Sequence, residues 1–288
     1  MIIKMSREDL CDGIISLSQY KRYLRGDTSI PNNIVVSLAD KLKFNIDDLH
    51  LMYRSKSDKQ YNKINQIYYL IISNELEEAY NLAYEMKDDI IVTNSNQLFF
   101  DFCFIYIKHK LSQISDIQVL EMFSSLINYP ECMDNDTHSW VEANILVQIV
   151  QITAQMENYE PTNHMYSLLK QEKFIKSYTG EAGMIPAIYA TIAKILGMQD
   201  RNNEVIEICG IAIDYCVQHE ISSSLSHLYF FKSFSHHNIG EIDEALELSK
   251  KGFMQLYLEN RPDKFNVFKD IFERRFEMKL TDFIDFCI

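Results

Sequence analysis

Turn punctuation is nearly missing from this chain: its 288 residues hold only 8 Gly and 5 Pro. Leu, Ile, Lys, Glu and Ala recur instead at spacings of three and four through most of the length. That is the period of one helical face, whereas a protein of many short strands needs frequent turn residues. The pattern predicts an all-α protein. With 47% hydrophobic residues there is enough apolar side chain for a buried core. The length exceeds one average domain, so a small head on a solenoid-like body, or two domains, is expected.

The opening MIIKMSREDL carries charges, and no later apolar run reaches the ~18 residues a bilayer span requires. A cytoplasmic protein with no membrane contact is expected. Cys11, Cys103, Cys132, Cys209, Cys216 and Cys287 are scattered without a CxxC pair, the usage of a reducing compartment rather than of a disulfide framework. The formal charge of −13 argues on average against nucleic acid, because Lys and Arg neutralising phosphates supply most non-specific affinity. The distribution is uneven, however. Up to Lys56 basic residues slightly outnumber acidic ones, and the excess acid lies beyond. A weakly basic head on an acidic body suits a DNA reader joined to a sensor, although solvated acidic helices alone give the same body.

Four short helices are expected in the head: Ser6 to Gly13, Ser16 to Arg25, Pro31 to Leu42 and Asn45 to Tyr53. Ser6 with Asp9, Ser16, and Asn45 with Asp47 and Asp48 are N-terminal caps, and Pro31 suits a first turn. The polar run SKSDKQ, Ser55 to Gln60, reads as a linker. It divides a domain at 1–55 from one at 56–288. From Tyr61 onward amphipathic helices alternate with polar turns such as SNELEE, YPECMDND, MQDRNNE and NIGEIDE, which implies helical hairpins in series. The clearest unit, Leu225 to Leu256, turns through Gly240-Glu241-Ile242-Asp243-Glu244-Ala245 and resembles the tetratricopeptide turn. Asn74 to Ala79 is a weaker copy, and Asp200 to Ile206 with Ala212 a third. A small residue such as Ala245 or Ala79 lets the second helix approach the first. The expected body is a tetratricopeptide-like, right-handed helical superhelix, with another helical-hairpin array as the alternative.

Leu10 to Gly26, LCDGIISLSQYKRYLRG, is the most specific stretch. Ser16, Ser18, Tyr20, Arg22, Tyr23 and Gly26, continued by Ile30-Pro31, Leu38-Ala39 and Ile46-Asp47-Asp48-Leu49, resemble the phage-repressor class of helix-turn-helix domains. The turn is one residue shorter than usual in that class, and almost nothing precedes Ser6 to form its first helix. Tyr20, Tyr23 and Leu24 are spaced to face inward, leaving Ser18, Lys21, Arg22 and Arg25 outward, with Leu17 at the helix tip. A double-stranded DNA site of Ser16, Leu17, Ser18, Gln19, Lys21, Arg22 and Arg25 is therefore expected. Arg22 would pair with a guanine, Ser18 and Gln19 would meet base edges or phosphate, and Leu17 a thymine methyl. Lys21 and Arg25 suit phosphates. The alternative is a solvated, purely structural cap.

The short turn of Cys11, Gly13, Ile14 and Ser16, followed by such a body, is similar to the Rgg and PlcR type of the RRNPP family of peptide-pheromone receptors. The resemblance implies a quorum-sensing transcription regulator, a homodimer, with a short signalling peptide held on the concave face of its repeats. Backbone-pairing amides, aromatics and a charge are what an extended peptide needs there. Asn144, Gln148 and Gln151 form nearly one stripe of a helix opened by Trp140. Tyr189 and Lys194 follow, then Tyr229, Lys232 and His236 on one face. Asn144 matches the family habit of an Asn gripping peptide backbone. His227, His236 and His237 are not at metal-ligand spacing. Neither a phosphate loop nor a nucleophile elbow is found, so no enzyme, cofactor or metal is expected. A tetratricopeptide adaptor or anti-activator without DNA binding is the alternative. The closing LTDFIDFCI, being apolar, suits a cap on the last hairpin or a dimer contact.

Overall fold

The structure is a computed structural model that describes residues 5–25, 27–135, 137–172, 174, 175, 178 and 182–283. Gly26 and Cys287 of the motifs above lie outside the described residues, as do Met1 to Lys4 and the final IDFCI beyond Phe283. Among the described residues the chain is helical, with only an isolated bridge between His138 and Tyr178. Two compact units form, Met1–Leu111 and Ser112–Ile288.

The first unit holds α1 (Arg7–Cys11), α2 (Leu17–Leu24), α3 (Asn32–Lys41), α4 (Ile46–Ile72), α5 (Leu76–Met86) and α6 (Asn94–Lys110). The caps explain the starts. Ser6 Oγ accepts the Asp9 amide at 3.0 Å, Ser16 Oγ the Gln19 amide at 3.1 Å, and Asn45 Oδ1 the Asp47 amide at 2.9 Å. Each satisfies an amide that the first helical turn leaves without a partner. Between α1 and α2 the chain reverses through Gly13 at φ +74°, a conformation that penalises any Cβ. The Ile14 and Ile15 amides both donate to the Cys11 carbonyl, at 2.9 and 3.0 Å. This closes the short turn without the extra residue of the usual pattern.

The linker reading of Ser55 to Gln60 is corrected: α4 runs unbroken through it. Neither Gly nor Pro occurs between Pro31 and Pro130, and Ser, Lys, Asp and Gln are polar without being helix breakers. The buried face of α4 also continues, through Gln60, Ile64, Ile67 and Ile71. Gln60 donates to the Ile90 carbonyl at 2.8 Å and accepts the Val92 amide at 3.0 Å, while Asn96 donates to the Ser57 carbonyl at 2.9 Å. Tyr53 donates to the Val92 carbonyl at 2.8 Å. The polar run is thus the stretch of α4 that pins the α5–α6 connection, and a functional division at residue 55 would fall inside one helix.

The second unit holds α7 (Asp116–Ile127), α8 (Trp140–Gln155), α9 (Glu160–Lys170), α10 (Ile185–Met198), α11 (Asn202–Gln218), α12 (Leu225–Asn238), α13 (Ile242–Leu258), α14 (Pro262–Phe276) and α15 (Leu280–Phe283). Ser115 with Gln118 and Ser139 with Glu142 form capping boxes at α7 and α8. Helices pair as hairpins, α8 with α9, α10 with α11 and α12 with α13. The small residues sit where close approach demands them. Ala79, Ala212 and Ala245 are fully buried, Ser233 Oγ donates to the Ala245 carbonyl at 2.6 Å, and the Ser233 and Ser249 hydroxyls pair at 2.7 Å. Gly240, at φ +87°, makes the turn between those helices. A core of Phe230, Phe253, Leu256, Phe268, Phe272 and Leu280 joins α12 to α15, with Phe230 stacked on Phe268 at 4.1 Å and edge-on to Phe253 at 4.8 Å. Cys11, Cys103, Cys132, Cys209 and Cys216 are buried free thiols. Burial pushes Cys103 and Cys209 well above the ordinary thiol range, so they pack rather than react. No helix among the described residues is long and apolar enough to cross a membrane.

Candidate functional site

The outward face of α2 is assembled by its inward one. Leu17, Tyr20 and Tyr23 are half-buried, and Ser16, Ser18, Gln19, Lys21, Arg22 and Arg25 are exposed. Leu24 is 60% exposed and does not face inward. It lies about 100° further round the helix from Tyr23, away from the half-buried side that Leu17, Tyr20 and Tyr23 form. Two of the exposed side chains are already engaged. Gln19 Nε2 donates to the Tyr23 hydroxyl at 2.8 Å, and Arg25 pairs with Asp27 through Nη2 at 2.9 Å and Nε at 3.1 Å. Lys21 and Arg22 have no such partner among the described residues. Lys41 Nζ donates to the Asp12 carbonyl and so ties α3 to the turn before α2. Among the described residues of α1 to α3, only Cys11 and Ala39 are buried.

In the second unit, α8 is buried on most of its circumference. Trp140, Asn144, Gln148, Gln151 and Gln155 form one stripe that is not, with half-buried Glu142 on the opposite side, so the three amides read from the sequence do share an accessible face. Asn144 Nδ2 donates to the Trp140 carbonyl at 2.8 Å, which leaves Oδ1 as an acceptor. On α10 the corresponding stripe is Ala187, Thr191, Lys194 and Met198. Between them lies a cleft of about 320 Å³ lined by Gln151, Gln155, Tyr159, Thr191, Lys194 and Met198.

Tyr189 is corrected to a core residue. It is 0% exposed, its hydroxyl donates to the Leu169 carbonyl at 3.0 Å, and burial raises its pKa. It points half a turn away from the stripe of Thr191 and Lys194, toward α9. Tyr229, Lys232 and His236 share a face, but that face meets α11 rather than the side of α12 that approaches Lys194. Lys232 Nζ lies 3.6 Å from where a Cβ on Gly210 would be, and Tyr229, raised by burial, senses Cys216 and Asp214. His236 is buried, with Nδ1 2.5 Å from Glu241 Oε2 in the α12–α13 turn. On the opposite side of α12 stand His227 and Phe231, both half-buried. The His227 ring packs edge-on against Phe268 at 5.3 Å, and its Nδ1 is buried without a hydrogen-bond partner. Burial, then Lys264, Arg261 and Lys194, push its pKa down to about 4.

Sequence reasoning missed His227, Phe231, Gln155 and Thr191. The signal was ambiguous rather than absent. His227, Phe231 and Phe234 repeat at four and three just as Tyr229, Lys232 and His236 do, and only the neighbouring helices decide which stripe is covered. Among the described residues no group of three or more His, Cys, Asp or Glu side chains is placed to hold a metal ion.

No protein-family model matches the chain, and no curated protein matches it. In three dimensions it is similar to Bacillus thuringiensis PlcR. Against the crystal structure of PlcR in complex with the peptide PapR7 and DNA, the TM-score is 0.55 at 18% identity, covering 90% of this chain and 92% of that one. Against PlcR in its apo form the TM-score is 0.60 at 15% identity, covering 86% and 91%. The likeness establishes the fold, a helix-turn-helix head followed by a tetratricopeptide-like body, the fold that the resemblance in the sequence implied.

Proposed function

We propose that this protein is a transcription regulator that binds double-stranded DNA through α2 and is controlled by a short signalling peptide held on the accessible faces of α8, α10 and α12. The observation that carries the reading is that one fold likeness spans head and body together, to a protein crystallised with both a peptide and DNA. The exposed Lys21 and Arg22 on α2 and the amide stripe of Asn144, Gln148 and Gln151 supply the chemistry each partner needs. Arg22 reads a base edge and Lys21 meets phosphate, whereas Arg25, held by Asp27, contributes less. The regulator acts as a homodimer, whose two heads meet half-sites about 34 Å or one helical turn apart. Peptide binding changes the spacing of those heads.

The test is binding of the full chain to its own upstream DNA at two salt concentrations, beside a Lys21→Ala, Arg22→Ala variant. The wild type is expected to bind with a salt slope of about 0.9 per phosphate contacted, and the variant to lose specific binding. A second reading, a protein-binding adaptor, is favoured by apolar surface on the head, where Leu24 is 60% and Phe44 40% exposed. Absence of DNA binding at low salt would overturn the regulator and leave the adaptor.

A further inference from the structure

The exposed polar side chains of α2 differ in how they are held. Ser16 is occupied as the cap, and Arg25 is engaged by Asp27 at 2.9 Å. The side chains of Lys21 and Arg22 have no such partner among the described residues. Gln19 alone is fixed twice. Its backbone N–H is held by Ser16 Oγ at 3.1 Å, and its side-chain Nε2 donates to the Tyr23 hydroxyl at 2.8 Å. Tyr23 is half-buried, so the hydroxyl that receives Gln19 is carried by a ring anchored in the head. A carboxamide has two N–H donors and an oxygen acceptor. With one N–H given to Tyr23, the exposed Gln19 keeps one donor and Oε1 side by side, in an orientation already set.

We propose that Tyr23 is a positioning residue that holds Gln19 ready to read an adenine in the major groove. The proposal rests on the DNA reading above and adds one base of the site and the pair of residues that selects it. Adenine presents an acceptor, N7, beside a donor, N6, and the free donor and acceptor of Gln19 match that pair. Guanine presents two acceptors there and suits a cation. Arg22, three residues on and so on the same face of α2, supplies that cation. A glutamine already held by Tyr23 need not be ordered when it meets the base, and such ordering is worth roughly 2- to 12-fold in affinity for one long side chain. The gain falls only on duplexes that let Gln19 make both bonds, so it enters as specificity rather than as general affinity.

The probe is a pool of DNA duplexes randomised over about 20 base pairs, enough for two half-sites one helical turn apart. The full-length wild type is taken through selection on the pool. The enriched duplex and its single-base variants are then titrated with wild type, Gln19→Ala and Tyr23→Phe, each checked for folding by circular dichroism. Wild type is expected to prefer A·T by about 5- to 150-fold at one position of each half-site, and Gln19→Ala to lose that preference there and nowhere else. Tyr23→Phe keeps the ring and removes only the hydroxyl. It should cut the same preference at least about twofold, with the salt slope as in wild type because no phosphate-neutralising cation is lost. An unchanged A·T preference in Tyr23→Phe overturns the positioning role, as does an equal weakening on every duplex, the mark of a tyrosine that only steadies the helix. Loss of preference in Gln19→Ala at a pair other than A·T, or at none, overturns the adenine assignment. Enrichment of no sequence by wild type overturns the DNA reading together with it.

Discussion

Two helical glycines of the second unit should respond differently to alanine, one gaining stability and the other not. Gly252 in α13 faces Phe230 of α12, and a Cβ there would lie 2.9 Å from Phe230 Cε2 and 3.0 Å from Cζ. Carbon atoms settle at about 3.5–4.0 Å, so the ring would have to retreat by roughly 0.5–1 Å. It has nowhere to go, being fully buried, stacked on Phe268 at 4.1 Å and held edge-on by Phe253 at 4.8 Å. Overpacking of this kind costs about 1–3 kcal/mol, against about 1 kcal/mol gained by replacing an interior helical Gly with Ala. Gly252→Ala should therefore be neutral to destabilising, by about 0–2 kcal/mol. Gly210 in α11 meets only Lys232 Nζ at 3.6 Å, an ordinary contact, so Gly210→Ala should stabilise by about 1 kcal/mol. Because both carry the same backbone gain, their difference isolates the packing term. Urea unfolding followed by circular dichroism reads it, with Phe230→Leu made in the parent chain and in the Gly252→Ala variant. The leucine should cost less in the Gly252→Ala background than in the parent, a coupling that only contacting residues show. Coincident midpoints for the two alanine variants, with no coupling, would refute the close approach of α12 and α13 on which the placement of His227 depends.

The neutral state of His227 makes stability pH-dependent. Its pKa of about 4 in the folded chain lies below the ordinary 6.5, so the unfolded chain takes up the extra proton. Stability should be full above pH 6.5 and fall progressively toward pH 4. His227→Gln should flatten that part of the curve, and an unchanged slope would show that burial, with the nearby Lys264, Arg261 and Lys194, does not hold the ring neutral. Gln60→Ala removes the bonds to the Ile90 carbonyl and the Val92 amide. A loss of about 1–3 kcal/mol is expected, with faster amide exchange at Val92; an unprotected Val92 amide in the wild type would contradict the clamp. Tyr189→Phe should cost about 1 kcal/mol for the lost Leu169 bond and leave peptide binding, measured by titration calorimetry, unaltered.

Much of the local structure was legible because it is written in short-range chemistry. Ser6, Ser16 and Asn45 announce helix starts, Gly240 and the following acids mark a hairpin turn, and Ala79, Ala212 and Ala245 mark close approach. The exposed, basic side of α2 was readable because a helix with one periodic apolar face leaves only one other, and the amide stripe of α8 because Asn144, Gln148 and Gln151 interrupt an otherwise apolar run. The extent of α4 was not, because polar residues look like a linker until the α5–α6 connection and the first turn of α6 arrive to use Gln60 and Ser57. Leu24 and Tyr189 failed in opposite directions. An apolar residue was left uncovered where no neighbouring element packs on it, and a tyrosine was buried where a backbone carbonyl was on hand for its hydroxyl.

By itself the sequence determined the all-helical class, the helix boundaries set by caps and glycines, and which residues of a one-sided helix are polar. Tertiary structure alone decided which face of a two-sided helix is covered. On α12, two stripes of equal periodicity compete, and packing buries His236 while leaving His227 and Phe231 half-buried. Periodicity measures angles around one helix axis, whereas exposure depends on where the neighbouring axes lie, and those positions are set by residues distant in the chain.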